Sequence, residues 1–271
     1  MTPCPKGQPA ASQLARAPLA PPCLPTRYLA FRTALDFLVA LVLLVVLGPL
    51  ILVLMALVKL TSPGTALYTQ TRLGRGGVAY RIYKLRTMEQ DCERRSGVRW
   101  STAGDPRVTP LGRFLRRLHL DELPQLWNVL RGEMSLIGPR PERPEIIAEL
   151  EKLYPRYRRR LAVKPGITGL AQVQLPPDSD VIDVGRKLGC DLCYIQNTGP
   201  WLDLRILVGT ALKIAGVPLP AISAALRLPA STVEVALEEP RQAVASLNFA
   251  APSLTEISLA VPRPETTVGM A

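Results

Sequence analysis

The feature that most constrains this chain is a run of 22 residues, Phe37 to Val58, that holds no charged side chain and is rich in Leu and Val. As a helix it would be about 33 Å long, enough to reach across or deep into a bilayer. It is too long, and starts too far from Met1, for a cleavable signal peptide. Pro49 follows Gly48 in the middle of the run. A proline there removes a backbone donor and clashes with the preceding turn, so a bend is expected. Arg27 and Arg32 precede the run, and Lys59, Arg72, Arg75 and Arg81 follow it. A simple spanning helix carries its Lys/Arg excess on one side. Basic flanks on both sides of a proline break predict a re-entrant hairpin with both ends on the cytoplasmic face. A straight spanning helix is the alternative.

The rest of the chain is long and apolar enough for one sizeable core, with 48% hydrophobic residues in 271. Its charge is concentrated: residues 59 to 220 hold 26 Lys/Arg against 16 Asp/Glu. That excess suits a polyanion, whether nucleic acid, anionic lipid or a phosphorylated substrate. Five scattered cysteines argue against a secreted disulfide framework. Cys190 and Cys193 form a CxxC without a second pair or a nearby histidine, so helix packing is the expected role. His119, the single histidine, sits in a basic stretch and is expected at the surface or in packing.

Residues 1 to 26, with seven prolines, read as a disordered leader, and the Ala/Pro/Ser/Glu-rich text from 221 to 271 as a disordered tail. Between them, residues 27 to 60 form the membrane segment and 61 to 220 one catalytic-sized domain. Gly74, Gly76 and Gly77 precede an alternating run, Val78 to Leu85, which predicts a strand or hairpin. Leu111, Phe114, Leu115 and Leu118 follow helical spacing, with Arg113, Arg116 and Arg117 on another face. Such a basic amphipathic helix suits either core packing or an anionic membrane surface. Residues 145 to 154 and 201 to 214 predict two further helices, the second interfacial or core. No GxGxxG joins a predicted strand to a helix, which argues against a Rossmann sheet.

The most informative stretch is HLDELPQLWNVLRGEMSLIGPRPE, residues 119 to 142. Pro124 belongs in the first turn of a helix, so a helix running to about Leu130 should start near Asp121. Asp121 and Glu122 would then sit at its N-terminus, where backbone amides and the helix dipole lower carboxylate pKa values and attract phosphate. Ordinary helix capping explains such a pair equally well. Magnesium held by one or two carboxylates and by phosphate oxygens would relieve the repulsion between carboxylate and phosphate. Arg140, between the stiffening Pro139 and Pro141, can bind phosphate bidentately. Lys84 and Arg86 of KLRTM offer further cations.

The segments RIYKLRTM, DPRVTPLGRFLRRLHLDELPQLWNVLRGEMSLIGPRPE, KPGITGLAQV and YIQNTGPWLDLRIL, in this order between Arg27 and Pro218, closely resemble the bacterial sugar transferases, the monotopic polyprenyl-phosphate phosphoglycosyltransferases. The resemblance implies a mostly helical α/β fold: a re-entrant N-terminal membrane helix and a compact domain of amphipathic helices with a small strand element, on the cytoplasmic face of the bacterial inner membrane. The family's break is commonly Ser-Pro. Here Gly48 replaces that serine.

The implied reaction moves a sugar-1-phosphate from a nucleoside-diphosphate sugar, such as a UDP-sugar, to undecaprenyl or another polyprenyl phosphate, as the first membrane step of polysaccharide synthesis. In that scheme Asp121 is the nucleophile of a ping-pong reaction and forms an aspartyl sugar-phosphate. Glu122 helps bind Mg2+ together with Asp121, and Lys84, Arg86, Arg140 and Pro141 form the substrate-binding set. The partners are then a nucleotide sugar, polyprenyl phosphate and membrane lipid, with no nucleic acid. The cluster at Arg158 to Arg160, or Arg113, Arg116 and Arg117, would face the anionic surface. Residues 174 to 185 depart from the family pattern. A competing reading, a non-catalytic basic scaffold of polysaccharide assembly, would use the same anchor and charge but would not need Asp121.

Overall fold

The computed structural model describes residues 26–92, 104–176 and 181–229. The proline-rich leader and most of the tail lie outside these residues. The apolar run lies within one helix, α1 (Thr26–Thr61), which continues through Pro49. It is the one helix among the described residues long and apolar enough to cross a membrane, with a mean hydropathy of 3.2 in its most apolar 18-residue window.

One face of α1 packs on the remainder of the chain along its length. Ala40 joins Tyr80, Ile82, Leu126, Val129 and Met134, with Leu43 and Leu44 against the same cluster. Farther along, Leu54 and Val58 join Leu85 and Leu115. The opposite face is bare, with Val42, Val45, Val46, Leu52 and Val53 all more than half exposed. Both ends are tied down. Arg32 is paired with Asp203 at 3.4 Å and donates to Ser135 Oγ at 2.8 Å and to the Ile137 carbonyl. Tyr28 donates to Asp203 Oδ2 at 2.6 Å. Beyond the other end, Arg86 donates to the Ser62 carbonyl at 2.8 Å.

The glycine-rich turn predicted a hairpin, and β1 (Leu67–Leu73) pairs antiparallel with β2 (Ala79–Leu85), Leu67 opposite Leu85 and Leu73 opposite Ala79. Gly76 and Gly77 hold φ of +69° and +80° in the connection, which other residues adopt only with strain. Helix α2 (Pro110–Arg117) starts on Thr109, whose hydroxyl accepts from the Gly112 amide at 2.9 Å, and Pro110 fits the first turn. Then come a 3-10 turn (Leu120–Glu122) and the short α3 (Gln125–Leu130).

Strand β3 (Ser135–Ile137) pairs in parallel with β4 (Gly166–Thr168). The backbones touch so closely around Gly138 and Gly166 that a Cβ at either would strike the other strand's main chain, so glycine is required at both. Helix α4 (Pro144–Leu153), a 3-10 stretch (Tyr157–Ala162), α5 (Leu170–Gln174), α6 (Val181–Asn197), α7 (Pro200–Ile214) and α8 (Leu219–Ala225) complete the fold. Both sheets have two strands, so the mostly helical α/β expectation holds.

Ile222 of α8 and the following Leu228 are buried with Leu202, Ile206 and Val173. The domain therefore extends past residue 220, where the sequence suggested a tail, because α8 covers an apolar face of α7. Cys190 and Cys193 are buried in this same cluster, in agreement with packing.

Candidate active site

Segments distant in sequence line one cleft of about 770 Å³. The chain leaves α2 through His119, which adopts a left-handed φ of +55°, and this turn delivers Asp121 and Glu122 to the cleft wall. Both are buried, each 7% exposed. They precede α3 on the 3-10 turn rather than occupying its first turn, since Pro124 is the residue that caps α3. The β-hairpin brings Lys84, and the loop after β3 brings Arg140.

These charges meet at Glu122. Its Oε1 accepts from Lys84 Nζ at 2.8 Å and from Arg140 Nη2 at 2.6 Å, and its Oε2 accepts from Arg140 Nη1 at 3.3 Å. Burial alone would favour the neutral acid, but Arg140 and Lys84 overcome it and hold Glu122 well below the usual carboxylate range. Arg140 is correspondingly raised, first by Glu122. Lys84 is lowered by burial.

Asp121 is different. Among the described residues no donor is bonded to its carboxylate, although it lines the cleft. Burial and then the neighbouring Glu122 charge raise its pKa, against Lys84, Arg116 and Arg140. The lowering expected at a helix start is found at Glu122, where Arg140 and Lys84 outweigh burial, but not at Asp121, which burial raises.

The sequence-selected cations divide. Lys84 and Arg140 come together on Glu122. Arg86 reaches the cleft rim, but its guanidinium is spent on the Ser62 carbonyl and hydroxyl and on Gln90 Oε1 at 2.7 Å. Its fixed position joins the hairpin to the end of α1. Pro141 lines the cleft, and its carbonyl accepts from Arg72 Nη1 at 3.0 Å, a backbone contact that stiffens the Arg140 loop.

Two residues assigned to a surface turn inward. Arg116 lines the cleft and its Nε donates to Thr87 Oγ1 at 2.8 Å, while Arg113 and Arg117 stay exposed. The α2 apolar stripe divides as well: Leu115 is fully buried, but Phe114 is 54% and Leu118 40% exposed. Arg160 is buried against Asp191 at 2.7 Å and donates to the Arg140 carbonyl at 2.8 Å. Asp191 is raised to about 6 by burial despite this pairing. A run of three arginines looked like one basic surface in the sequence. The 3-10 geometry of residues 157 to 162 instead sends Arg160 inward while Arg158 pairs with Glu151 at 3.5 Å on the outside.

Magnesium can be tested against this donor set. Among the described residues no group of three His, Cys, Asp or Glu side chains forms a cage, but magnesium commonly needs only one or two carboxylates beside substrate phosphates and water. The Asp121 carboxylate meets that requirement. Glu122 can add only the lone pairs that Lys84 and Arg140 leave.

Taken together, the molecule is an α/β domain with one apolar helix of membrane-crossing length, and its cleft sets a carboxylate that accepts from no donor among the described residues beside the Lys84–Glu122–Arg140 cluster. The chain belongs to the bacterial sugar transferase family, whose sequence model matches residues 27–216. It is 42% identical over 188 residues to the UDP-N-acetylgalactosamine-undecaprenyl-phosphate N-acetylgalactosaminephosphotransferase of Aeromonas hydrophila, covering 69% of this chain and 44% of that protein. It is 40% identical over 183 residues to the UDP-glucose:undecaprenyl-phosphate glucose-1-phosphate transferase of Xanthomonas campestris pv. campestris, covering 67% and 38%. It is also 40% identical to the exopolysaccharide production protein PSS of Rhizobium leguminosarum bv. phaseoli, covering 68% of this chain and 95% of that one. The chain thus spans less than half the length of the first two relatives.

Proposed function

We propose that the protein transfers a sugar-1-phosphate from a nucleoside-diphosphate sugar, with UDP-sugars the first candidates, to undecaprenyl phosphate or a related polyprenyl phosphate. The observation that carries this reading is the Asp121 carboxylate, unbonded in a cleft beside the Lys84–Glu122–Arg140 cluster. An Asp121 oxygen attacks the phosphorus that bears the sugar. The bond from that phosphorus to the bridging oxygen breaks, and the nucleoside monophosphate leaves with the electron pair. An oxygen of the lipid phosphate then attacks the same phosphorus, breaking its bond to Asp121 and restoring the carboxylate. Family membership and the activities for which the relatives are named support the transfer reaction.

Glu122 keeps Lys84 and Arg140 in place and balances their charge. The Arg140 side chain, 44% exposed beside it, faces the cleft and is available to phosphate oxygens. Magnesium, when bound, would neutralise phosphate charge and favour loss of the nucleotide, with Asp121 its main protein ligand and Glu122 a secondary one. Full activity in excess chelator would remove magnesium from the scheme.

The membrane reading rests on α1. Its packed face runs the length of the helix, and its two ends are tied to the same domain. That supports a helix that enters and leaves one leaflet; the cytoplasmic face is assigned from the basic residues on both flanks. Cysteines placed on the two flanks should label from the same side of sealed vesicles, and labelling from opposite sides would refute this topology. The activity is tested by screening nucleotide sugars for monophosphate release. Asp121→Asn should abolish release while still partitioning to membranes, an outcome the scaffold reading does not require.

A further inference from the structure

The reaction proposed above needs the second substrate's phosphate to reach the phosphorus held at Asp121, and Glu122 already engages two of the cleft's cations. We propose that Lys213, on the last turn of α7, is the residue that receives the phosphate of the polyprenyl acceptor.

Lys213 lines the same cleft as Asp121, yet it comes from a wall remote in sequence. Among the described residues it has no carboxylate partner. Its ammonium donates to the Gln172 carbonyl at 2.8 Å, which leaves two of its three donors for a ligand. Burial lowers its pKa first, and Arg140 and Lys187 add to the shift against Glu122, so its charge is felt at the catalytic cluster. An incoming phosphate would relieve the repulsion among these cations.

The choice of the lipid rather than the nucleotide follows from the helix that carries it. Helix α7 buries Leu202, Asp203, Ile206 and Gly209 on one side, and at 100° per residue Lys213 falls on that same side. The other side shows Trp201, Leu204, Leu207 and Val208, all at least 41% exposed. At its start α7 touches the membrane helix, through Asp203 with Arg32 and Tyr28. At its end it reaches the cleft. The bare apolar side continues to Ile214, 57% exposed, so it runs about 20 Å along the helix and ends beside Lys213, where an isoprenoid tail lying on that side can turn its phosphate around the helix end to the cleft.

The test separates the two half-reactions in the full-length protein in nanodiscs. Lys213→Met should raise the KM for undecaprenyl phosphate at least 10-fold. Stoichiometric monophosphate release in the absence of lipid should change less than threefold, which also reports that the fold is intact. Lys213→Arg should restore the acceptor KM to within about threefold. A water-soluble short-chain isoprenyl phosphate should show the same KM rise, because the phosphate is what Lys213 binds. An unchanged acceptor KM, an equal loss in both half-reactions, or a rise confined to the long-chain lipid would each overturn the assignment. Failure of the wild type to release monophosphate without lipid would instead overturn the aspartyl mechanism on which the assignment rests.

Discussion

Replacing Glu122 with Gln keeps its shape and removes the charge that Lys84 and Arg140 share. The cost can be estimated from the burial of the partners. Breaking a buried ion pair by deleting one member costs about 3–5 kcal/mol, because the other charge is left uncompensated. Lys84 approaches that situation, with its side chain 18% exposed, but Arg140 at 44% keeps much of its hydration. Solvent screening discounts the Arg140 share, so a loss of about 2–3 kcal/mol is expected. At about 2–4 °C per kcal/mol for a domain of this size, Tm should fall by about 4–12 °C. The pH dependence adds a second readout. Glu122 is held below its ordinary 4.5, so its stabilisation is complete above that value and is lost as pH falls beneath it. The gap between wild type and variant should therefore be full at pH 7 and shrink below about pH 4.5. Thermal melts of the two proteins in the same detergent at pH 7, 5 and 4 measure it. Equal Tm values at pH 7, or a gap that widens in acid, would refute the idea that Glu122 anchors these cations.

Three further outcomes follow from the same geometry. Asp191 is raised to about 6 from 3.8, so the folded state binds its proton more tightly than the unfolded chain and the wild type gains stability as pH falls from about 6 towards 4. Asp191→Asn should abolish that gain in chemical denaturation at pH 6.5, 5.5 and 4.5, and parallel slopes would contradict it. Arg32→Met leaves Asp203 and Asp36 buried with their cation gone, so the start of α1 should detach, read as faster amide exchange across residues 27 to 40 with little change across 54 to 60. Gly138→Ala should prevent accumulation of folded protein, because the new methyl would meet the backbone of Lys164 to Gly166; a folded, active variant would show that the β3–β4 contact is looser than described.

Much of this was legible in the sequence because short-range rules governed it. The glycines placed the hairpin, Pro110 and Pro124 marked the two helix starts, and the resemblance to the sugar transferases singled out Asp121, Glu122, Lys84 and Arg140, which do line one cleft. What the sequence hid was direction. Arg116 sits between exposed arginines and Arg160 ends a run of three, and a charge that turns inward leaves no local trace when its partner is Thr87, or Asp191 31 positions later. The carboxylate energetics were also misjudged from the helix start, since burial and two cations brought from other elements outweigh a helix of six residues. The tail boundary failed because Ala-rich text conceals a helix, α8, whose apolar residues matter only once α7 offers them a surface.

The central claim is that Asp121 carries the sugar-phosphate between the two substrates. Mass spectrometry of the protein quenched after mixing with a competent nucleotide sugar, without any lipid acceptor, tests it most directly. The account predicts a mass increase of one sugar phosphate mapped to Asp121, formed with one equivalent of nucleoside monophosphate and absent in Asp121→Asn. Monophosphate release that strictly requires the lipid, or an adduct on another residue, would contradict it.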